Sequence, residues 1–162
     1  MAKMFVVGLT FAAVFAIAEI KVHREPGEEA RPISVLRAVA SAQHAYAALN
    51  GGYATSLKTL AAPCSAGQHG FISPDLSSDP TVIRGYEIRL QADASDLTGR
   101  VDCHGNPTAR SYYVTAVPLE RAETAMRAFA VDQNNVIWYG HAATGTTPKP
   151  PFSETAGLKR LQ

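Results

Sequence analysis

Residues 33–50 read ISVLRAVASAQHAYAALN, and this stretch decides the fold. Apolar and small side chains recur in it at the spacing of an α-helix, which gathers them on one face. That face holds Ile33, Leu36, Ala40, Gln43 and Ala47, with Val39 and Tyr46 beside it. The many alanines favour helix and allow close packing, and Asn50-Gly51-Gly52 is a typical helix stop. The pattern therefore predicts an amphipathic helix that ends at Asn50.

The residues before this helix change from charged to apolar towards the N-terminus. Residues 21–31 read KVHREPGEEAR, in which Pro26-Gly27 is a break signal. Before them, Met4–Ile20 reads MFVVGLTFAAVFAIAEI and carries one charge, on Glu19. As a helix this segment would span about 26 Å, a little less than the ~30 Å of a hydrocarbon core. The sequence therefore predicts a long N-terminal helix with a membrane half and an amphipathic half, broken near Pro26-Gly27.

A cleaved secretory signal is an alternative interpretation of the same apolar segment. Lys3 would supply its basic start, and Ala16-Ile17-Ala18 fits a cleavage site with small residues. The sequence also leaves the orientation open. Basic residues between Lys21 and Arg37 favour a cytoplasmic head by the positive-inside rule, whereas the two cysteines favour a head outside the cytoplasm.

The second half of the chain has the alternation and composition of β-strands. The predicted strands are Tyr86–Leu90, Ser111–Val117, Met126–Val131 and Val136–Tyr139. The turn Asp132–Asn135 joins the last two as a hairpin. Local connections make an antiparallel meander the simplest topology, and such a sheet needs the helix to cover its apolar face. The predicted fold class is α+β, with the N-terminal helix packed on a small antiparallel β-meander.

Between and beyond these elements the sequence predicts little regular structure. A short helical turn is expected at Ser56–Leu60, and a long loop rich in Gly, Ser and Pro at Pro63–Pro80. The tail from Thr144 to Gln162 is predicted to be irregular. The expected organisation is a membrane helix and charged junction over residues 1–27, followed by a head domain over residues 28–162.

The overall composition argues against several classes of protein. The chain has 162 residues, a formal net charge of +1 and 18% charged residues. So small a net charge argues against a nucleic-acid partner. With 46% hydrophobic residues, the chain also lacks the composition of a disordered protein.

The chain has two cysteines, Cys64 in the long loop and Cys103 in the turn-like stretch Asp102–Pro107. If the head lies outside the cytoplasm, a disulfide between them would tie two loops together. Loop-closure entropy makes a ring of about 40 residues worth roughly 3–4 kcal/mol. The alternative is a pair of free thiols in a cytoplasmic domain.

The sequence contains no recognisable motif for catalysis, a cofactor or a metal. Cys103-His104 lacks the second cysteine that c-type haem attachment requires, and the histidines are scattered rather than clustered as zinc ligands. The loop aspartates lack the spacing of a calcium site. Serine-nucleophile, phosphate-loop and zinc-protease motifs are absent from the sequence. We therefore predict a protein that is not an enzyme and has no cofactor and no metal.

Two blocks of the sequence resemble the type IV pilin and type II secretion pseudopilin superfamily. Residues 29–43, EARPISVLRAVASAQ, are similar to the EAsaissLRtintAQ stretch that follows the membrane half of many bacterial pilin-like sequences. Residues 50–57, NGGYATSL, are similar to the GGYapSL that comes next in that family. Weaker blocks follow at Phe71–Leu76, Gly85-Tyr86, Ser111–Tyr113 and Arg127–Gln133.

The resemblance implies a non-enzymatic structural subunit of a pilin-like filament or pseudopilus. Its partners would be copies of itself, which it contacts through the N-terminal helix, and membrane lipid. The residues implied for this assembly helix are Phe5, Val6, Gly8, Leu9, Phe11, Ala12, Val14, Phe15 and Ala16. The implied location is the bacterial cytoplasmic membrane, crossed once with an extracytoplasmic head, or an extracellular filament.

Two other functions are compatible with the sequence. The chain could be a single-pass accessory subunit, with the same fold, of another membrane complex, because Ala13 stands where the family has a glutamate. Its partners would then be other pilin-like or membrane-complex subunits. It could also be a secreted binding domain, released by cleavage near Ala18.

Overall fold

The computed structural model describes residues 29–119, 126–141 and 147–161. The helices are α1 (Ala30–Asn50) and α2 (Leu57–Ala61), with single 3₁₀ turns at Pro74–Leu76 and Glu154–Ala156. The strands are β1 (Thr81–Ile83), β2 (Tyr86–Gln91), β3 (Leu97–Val101), β4 (Pro107–Ala109), β5 (Tyr113–Pro118), β6 (Arg127–Asp132), β7 (Ile137–His141) and β8 (Lys159–Arg160).

Helix α1 has the amphipathic character predicted for residues 33–50 but begins earlier, at Ala30. Leu36 and Tyr46 are among its buried side chains. The helix ends where Gly51 adopts a left-handed φ of 73°, and the N–H of Gly51 donates to the carbonyl of Ala47 at 2.8 Å. This conformation favours glycine, which has no Cβ. The predicted stop is therefore confirmed.

The predicted long N-terminal helix with a membrane half is wrong. Helix α1 has 21 residues, and its exposed side carries charged residues such as Arg31 and Arg37. A helix with one polar side packs its other side on a sheet and is unsuited to hydrocarbon on all sides. Among the described residues, no helix has the length and hydropathy to cross a membrane. The apolar segment Met4–Ile20 and the break at Pro26-Gly27 lie outside the described residues.

The predicted antiparallel meander of four strands is confirmed, as part of a larger sheet. Six strands form one antiparallel sheet in the order β1-β2-β5-β6-β7-β8, and β3 and β4 form a separate two-stranded sheet. Strand β2 therefore pairs with β5, with Tyr86 opposite Pro118 and Gln91 opposite Tyr113. The four predicted strands exist as β2, β5, β6 and β7. They pair with one another in their order along the chain, and the β3–β4 hairpin is an insertion between β2 and β5 that leaves this order unchanged.

Helix α1 covers one face of the large sheet, mainly over β5 and β6. Alternate residues of the strands point to this helix, as the two-residue period of a strand requires. The inward side chains of β2, β5 and β6 include Tyr86, Ile88, Leu90, Val114, Ala116, Phe129 and Val131. Together with the buried face of α1 and with Leu57 and Leu60 of α2, they form the hydrophobic core.

The C-terminal residues 147–161 are more regular than the sequence indicated. Strand β8 pairs with β7 at the edge of the sheet. The ring of Phe152 lies 6.2 Å from that of Tyr113, measured between centroids. The guanidinium carbon of Arg160 lies 5.0 Å from the ring centroid of Trp138. These contacts attach the tail to the sheet face opposite α1.

Candidate functional site: the helix junction and the disulfide-linked loops

The start of α1 is bound to strand β6 by an ion pair. Arg127 donates from Nε to Oε2 of Glu29 at 2.8 Å, and its Nη2 contacts the same oxygen. The guanidinium carbon lies 4.7 Å from the ring centroid of Tyr139 and 5.3 Å from that of Phe129. Hydrogen bonding to Glu29 is the main reason that the pKa of Arg127 is raised above its ordinary value. This contact holds the first turn of α1 on the sheet.

The predicted disulfide between Cys64 and Cys103 is confirmed. The two Cα atoms lie 5.7 Å apart, within the normal range for a disulfide. The bond joins the loop after α2 to the turn between β3 and β4, across a sequence separation of 39. Both cysteines are exposed. The long loop is therefore tethered covalently to the small sheet.

Asp102 organises the turn that contains the bridged Cys103. Its Oδ1 accepts hydrogen bonds from the backbone N–H groups of His104 and Asn106, each at 2.8 Å. Its Oδ2 accepts from the Tyr46 hydroxyl at 2.9 Å and from Asn106 Nδ2 at 3.0 Å. Burial alone would raise the pKa of the Asp102 carboxyl, but these hydrogen bonds stabilise its charged form and together lower the pKa. The turn is thereby tied to α1.

Burial also changes the titration of the tyrosine in this contact. Loss of solvation is the main reason that the pKa of Tyr46 is raised, and its bond to Asp102 raises it further. Tyr46 therefore stays neutral and acts as a hydrogen-bond donor. Its ring centroid also lies 5.4 Å from that of Phe71, edge to face, in the loop that carries the other cysteine.

His104 connects the two sides of the disulfide. Its Nε2 lies 3.0 Å from the carbonyl oxygen of Pro63. Because a carbonyl oxygen only accepts hydrogen bonds, Nε2 carries the hydrogen of this bond, and in a neutral ring of that tautomer the electron pair is on Nδ1. The potential ligand atoms of Cys64, Cys103 and His104 lie within 4.8 Å of one another. The sequence prediction of no metal site did not anticipate this cluster.

A buried glutamine holds the loop that follows α1. Gln43 Nε2 donates to the carbonyl of Ala54 at 2.9 Å, and Gln43 Oε1 accepts from the N–H of Ala54 at 2.8 Å. Both residues are 0% exposed. The adjacent Tyr53 exchanges two backbone hydrogen bonds with Ala109 of β4, at 2.8 and 2.9 Å. A Cβ at Gly52 would lie 2.7 Å from side-chain atoms of β3 and β4, so the loop is packed tightly there.

The comparisons with known proteins found nothing similar to this chain. No protein-family model matches it, and no curated protein or solved structure matches it either. The pilin-like resemblance and the functions that it implies are therefore still predictions.

The predicted assembly residues all lie outside the described residues. They are Phe5, Val6, Gly8, Leu9, Phe11, Ala12, Val14, Phe15 and Ala16. The structure therefore brings together only the predicted cysteine pair, Cys64 and Cys103.

Sequence reasoning missed most of the contacts that build this site. A local signal existed for Asp102, because an aspartate followed by Gly105 and Asn106 is typical of a side-chain-stabilised turn. No local signal links Glu29 to Arg127, which lie 98 positions apart. Such pairs depend on how the helix is placed on the sheet, which the local pattern did not determine.

Proposed function

We propose that this chain is a non-enzymatic structural subunit of a pilin-like filament or pseudopilus. In this proposal copies of the chain pack against one another through the apolar residues 4–20, at the bacterial cytoplasmic membrane or in an extracellular filament. The observation that carries the proposal is the pair of hydrogen bonds between Gln43 and Ala54. Gln43 ends the first block of similarity and Ala54 lies in the second, so a buried contact joins the two blocks. This contact supports a common structural role for the two blocks.

Later blocks of similarity also fall on positions that shape the backbone. Gly85 lies in the turn between β1 and β2 with φ of 75°. Arg127–Gln133 includes the whole of β6 and the start of the following turn. The N–H of Phe71 donates to the carbonyl of Leu60 at 2.8 Å and so returns the long loop to α2. Similarity concentrated at such positions supports a shared scaffold rather than a shared reaction.

A further ionisable group, Asp79, also joins two elements of the scaffold. Asp79 Oδ2 accepts from the N–H of Leu57 at 3.0 Å, and its Oδ1 accepts from the N–H of Leu90 at 3.4 Å. Burial is the main reason that the pKa of Asp79 is raised. This carboxylate joins the start of α2 to β2, as Glu29 and Arg127 join α1 to β6. Asp79, Glu29 and Arg127 therefore hold elements of the fold together, which supports a structural rather than a catalytic role for them.

The disulfide supports a head that lies outside the cytoplasm. Disulfides persist in oxidising compartments and are rare where cellular thiols keep cysteines reduced. Cys64 and Cys103 are exposed, so cytoplasmic reductants would have access to the bond. An extracytoplasmic head is consistent with either membrane residence or incorporation into an extracellular filament.

The proposal can be tested by two matched substitutions in the apolar segment. Ala12→Arg places a charge in the middle of that segment, whereas Ala12→Leu enlarges the same side chain and keeps it apolar. Full-length chain and Ala12→Leu should sediment with membranes or form fibres visible by negative-stain electron microscopy. Ala12→Arg should lose both properties while its head keeps the disulfide. A full-length chain that is strictly monomeric in detergent and forms no fibre in its native cells would reject the proposal.

Sequencing the mature N-terminus distinguishes the alternatives. Cleavage after Gly8 would indicate processing of the pilin kind, and cleavage near Ala18 would indicate a secreted binding domain. A terminus at Met1 or Ala2, together with co-purification of a stable non-pilin complex, would indicate an accessory subunit.

A further inference from the structure

Cys64, Cys103 and His104 form a compact group of potential metal ligands at the surface. All three residues are exposed, and their ligand atoms lie within 4.8 Å of one another. Cysteine sulfur and histidine nitrogen are the ligands that zinc prefers, and open zinc sites complete a tetrahedron with water. In the oxidised protein the two sulfur atoms are bonded to each other and cannot act as thiolates.

Contacts other than the disulfide hold both sides of this group in place. On the hairpin side, the Asp102 carboxylate accepts from Tyr46 of α1 at 2.9 Å. On the loop side, the N–H of Phe71 donates back to α2 at 2.8 Å. Between the two sides, His104 Nε2 donates to Pro63 O at 3.0 Å. Reduction of the disulfide would therefore leave the two thiols as close neighbours.

The hydrogen bond of His104 also selects the tautomer that a metal ligand needs. In the neutral ring with its hydrogen on Nε2, the electron pair of Nδ1 is the one that can coordinate. Metal-bound histidines usually donate their other ring N–H to a backbone carbonyl or a carboxylate, which fixes the orientation of the ring. The Pro63 carbonyl is a partner of this kind.

We propose that the reduced form of this protein binds one Zn²⁺ through the thiolates of Cys64 and Cys103 and through His104, with water in the fourth position. Tetrahedral coordination at about 2.3 Å places the two sulfur atoms about 3.8 Å apart. The exposed loops need to open by only about 2 Å to reach that separation. Two thiolates and a neutral imidazole balance the charge of the ion, so no further acidic ligand is required. The zinc site and the disulfide cannot exist at the same time, because both use the sulfur atoms of Cys64 and Cys103.

Reduction of the disulfide needs an external reductant, which is supplied here by a phosphine. A water-soluble phosphine cleaves the S–S bond, takes an oxygen atom from water to become the phosphine oxide, and leaves two thiols. Binding of Zn²⁺ then releases the two thiol protons to the buffer, so affinity rises with pH.

The test is a metal titration of the full-length chain in mild detergent, reduced by the phosphine, freed of it by gel filtration and kept under nitrogen. One equivalent of Co²⁺ should produce thiolate-to-cobalt charge-transfer absorption, and one equivalent of Zn²⁺ should abolish it. The oxidised protein and the double variant Cys64→Ser/Cys103→Ser should show no such absorption. Absence of the absorption from the reduced parent chain would overturn the proposal.

A matched pair of histidine variants tests the third ligand. His104→Ala should weaken Zn²⁺ binding at least by the about 10- to 100-fold that loss of a metal-supporting partner costs. His69→Ala removes an exposed histidine from the long loop and should leave the affinity unchanged. Equal affinity of His104→Ala and the parent chain, or an equal loss in both variants, would contradict the assignment.

The state of the reduced chain is measured in the same samples by near-ultraviolet circular dichroism. The folded reduced chain should bind Zn²⁺ at least tenfold more tightly than the same chain in urea, because the fold gathers the ligands. If reduction unfolds the chain, recovery of the native spectrum on addition of Zn²⁺ supports the site. A chain that unfolds on reduction and does not recover with Zn²⁺ refutes it.

Discussion

Replacing Gln43 with methionine is the sharpest test of how the head is held together. Methionine keeps the length and flexibility of the side chain but cannot form the two hydrogen bonds to Ala54. Both residues are 0% exposed, so water cannot replace the lost partner without opening the structure. Each buried backbone group left unsatisfied costs about 1–3 kcal/mol. With two such groups, the free energy of unfolding should fall by about 2–6 kcal/mol, a large part of the roughly 5–15 kcal/mol typical of a domain.

The measurement is urea unfolding of the full-length chain in mild detergent. The fluorescence of Trp138, the single tryptophan of the chain, reports on the sheet because this side chain is only 7% exposed. Ser41→Ala, at an exposed position of the same helix, is the control and should stay within about 0.5 kcal/mol of the parent chain. If the free energy of unfolding of Gln43→Met falls by less than about 1 kcal/mol, the two hydrogen bonds between Gln43 and Ala54 are not a main contact of the fold.

Gln43→Glu gives an independent check through its pH dependence. A charged glutamate can accept from the N–H of Ala54 but cannot donate to its carbonyl, whereas a protonated glutamate can do both. Burial would raise the pKa of this carboxyl in the folded state above its unfolded value. The stabilisation is then fully present below the unfolded pKa and is lost as the pH rises through the folded pKa. The variant should therefore approach the parent stability on acidification, and a difference that does not change with pH would contradict the role of the donor.

Three further predictions test the other contacts of the site. Cys64→Ser/Cys103→Ser should lower the free energy of unfolding by about 4 kcal/mol, because a ring of this length restricts the unfolded chain; alkylation of the parent chain without reductant should label no thiol. In a double-mutant cycle, Glu29→Gln and Arg127→Met should couple by about 1–2 kcal/mol because the pair is partly buried, and simple additivity would reject the contact. Asp102→Asn should make the free energy of unfolding depend less steeply on pH below about pH 4. The folded pKa of Asp102 is lowered, so its charged form stabilises the fold above the unfolded pKa of about 3.9 and that contribution is lost as the pH falls through the folded pKa. If the free energy of unfolding of the variant falls with acidification as steeply as that of the parent chain, this prediction is wrong.

Local patterns predicted the main elements of the head, and short connections predicted the order in which its four longer strands pair. The spacing of apolar residues predicted α1. The helix ends at Asn50, as Gly51 and Gly52 indicated, because Gly51 adopts a left-handed conformation. Alternation gave β2, β5, β6 and β7, because a half-buried strand imposes its period directly on the sequence. The short strands β1, β3, β4 and β8 were missed, since two to five residues carry too little periodicity to be recognised.

The candidate site was only partly predictable for a related reason. The disulfide followed from cysteine count and loop context, with no knowledge of the fold. The hydroxyl of Tyr46 and the carboxylate of Asp102 meet across 56 positions, and nothing near either residue indicates the other. The nearness of His104 to Cys64 likewise depends on the β3–β4 hairpin being folded back onto the loop after α2.

The sequence by itself therefore determined the amphipathic helix, its end, the main strands and the cysteine pair, because each depends on residues that are close along the chain or few in number. Only the tertiary structure decided that Arg127 binds the start of α1, that Tyr46 meets Asp102, and that His104 meets the loop after α2. Those contacts join distant segments, and they exist only when burial of one shared core selects a single order of the strands.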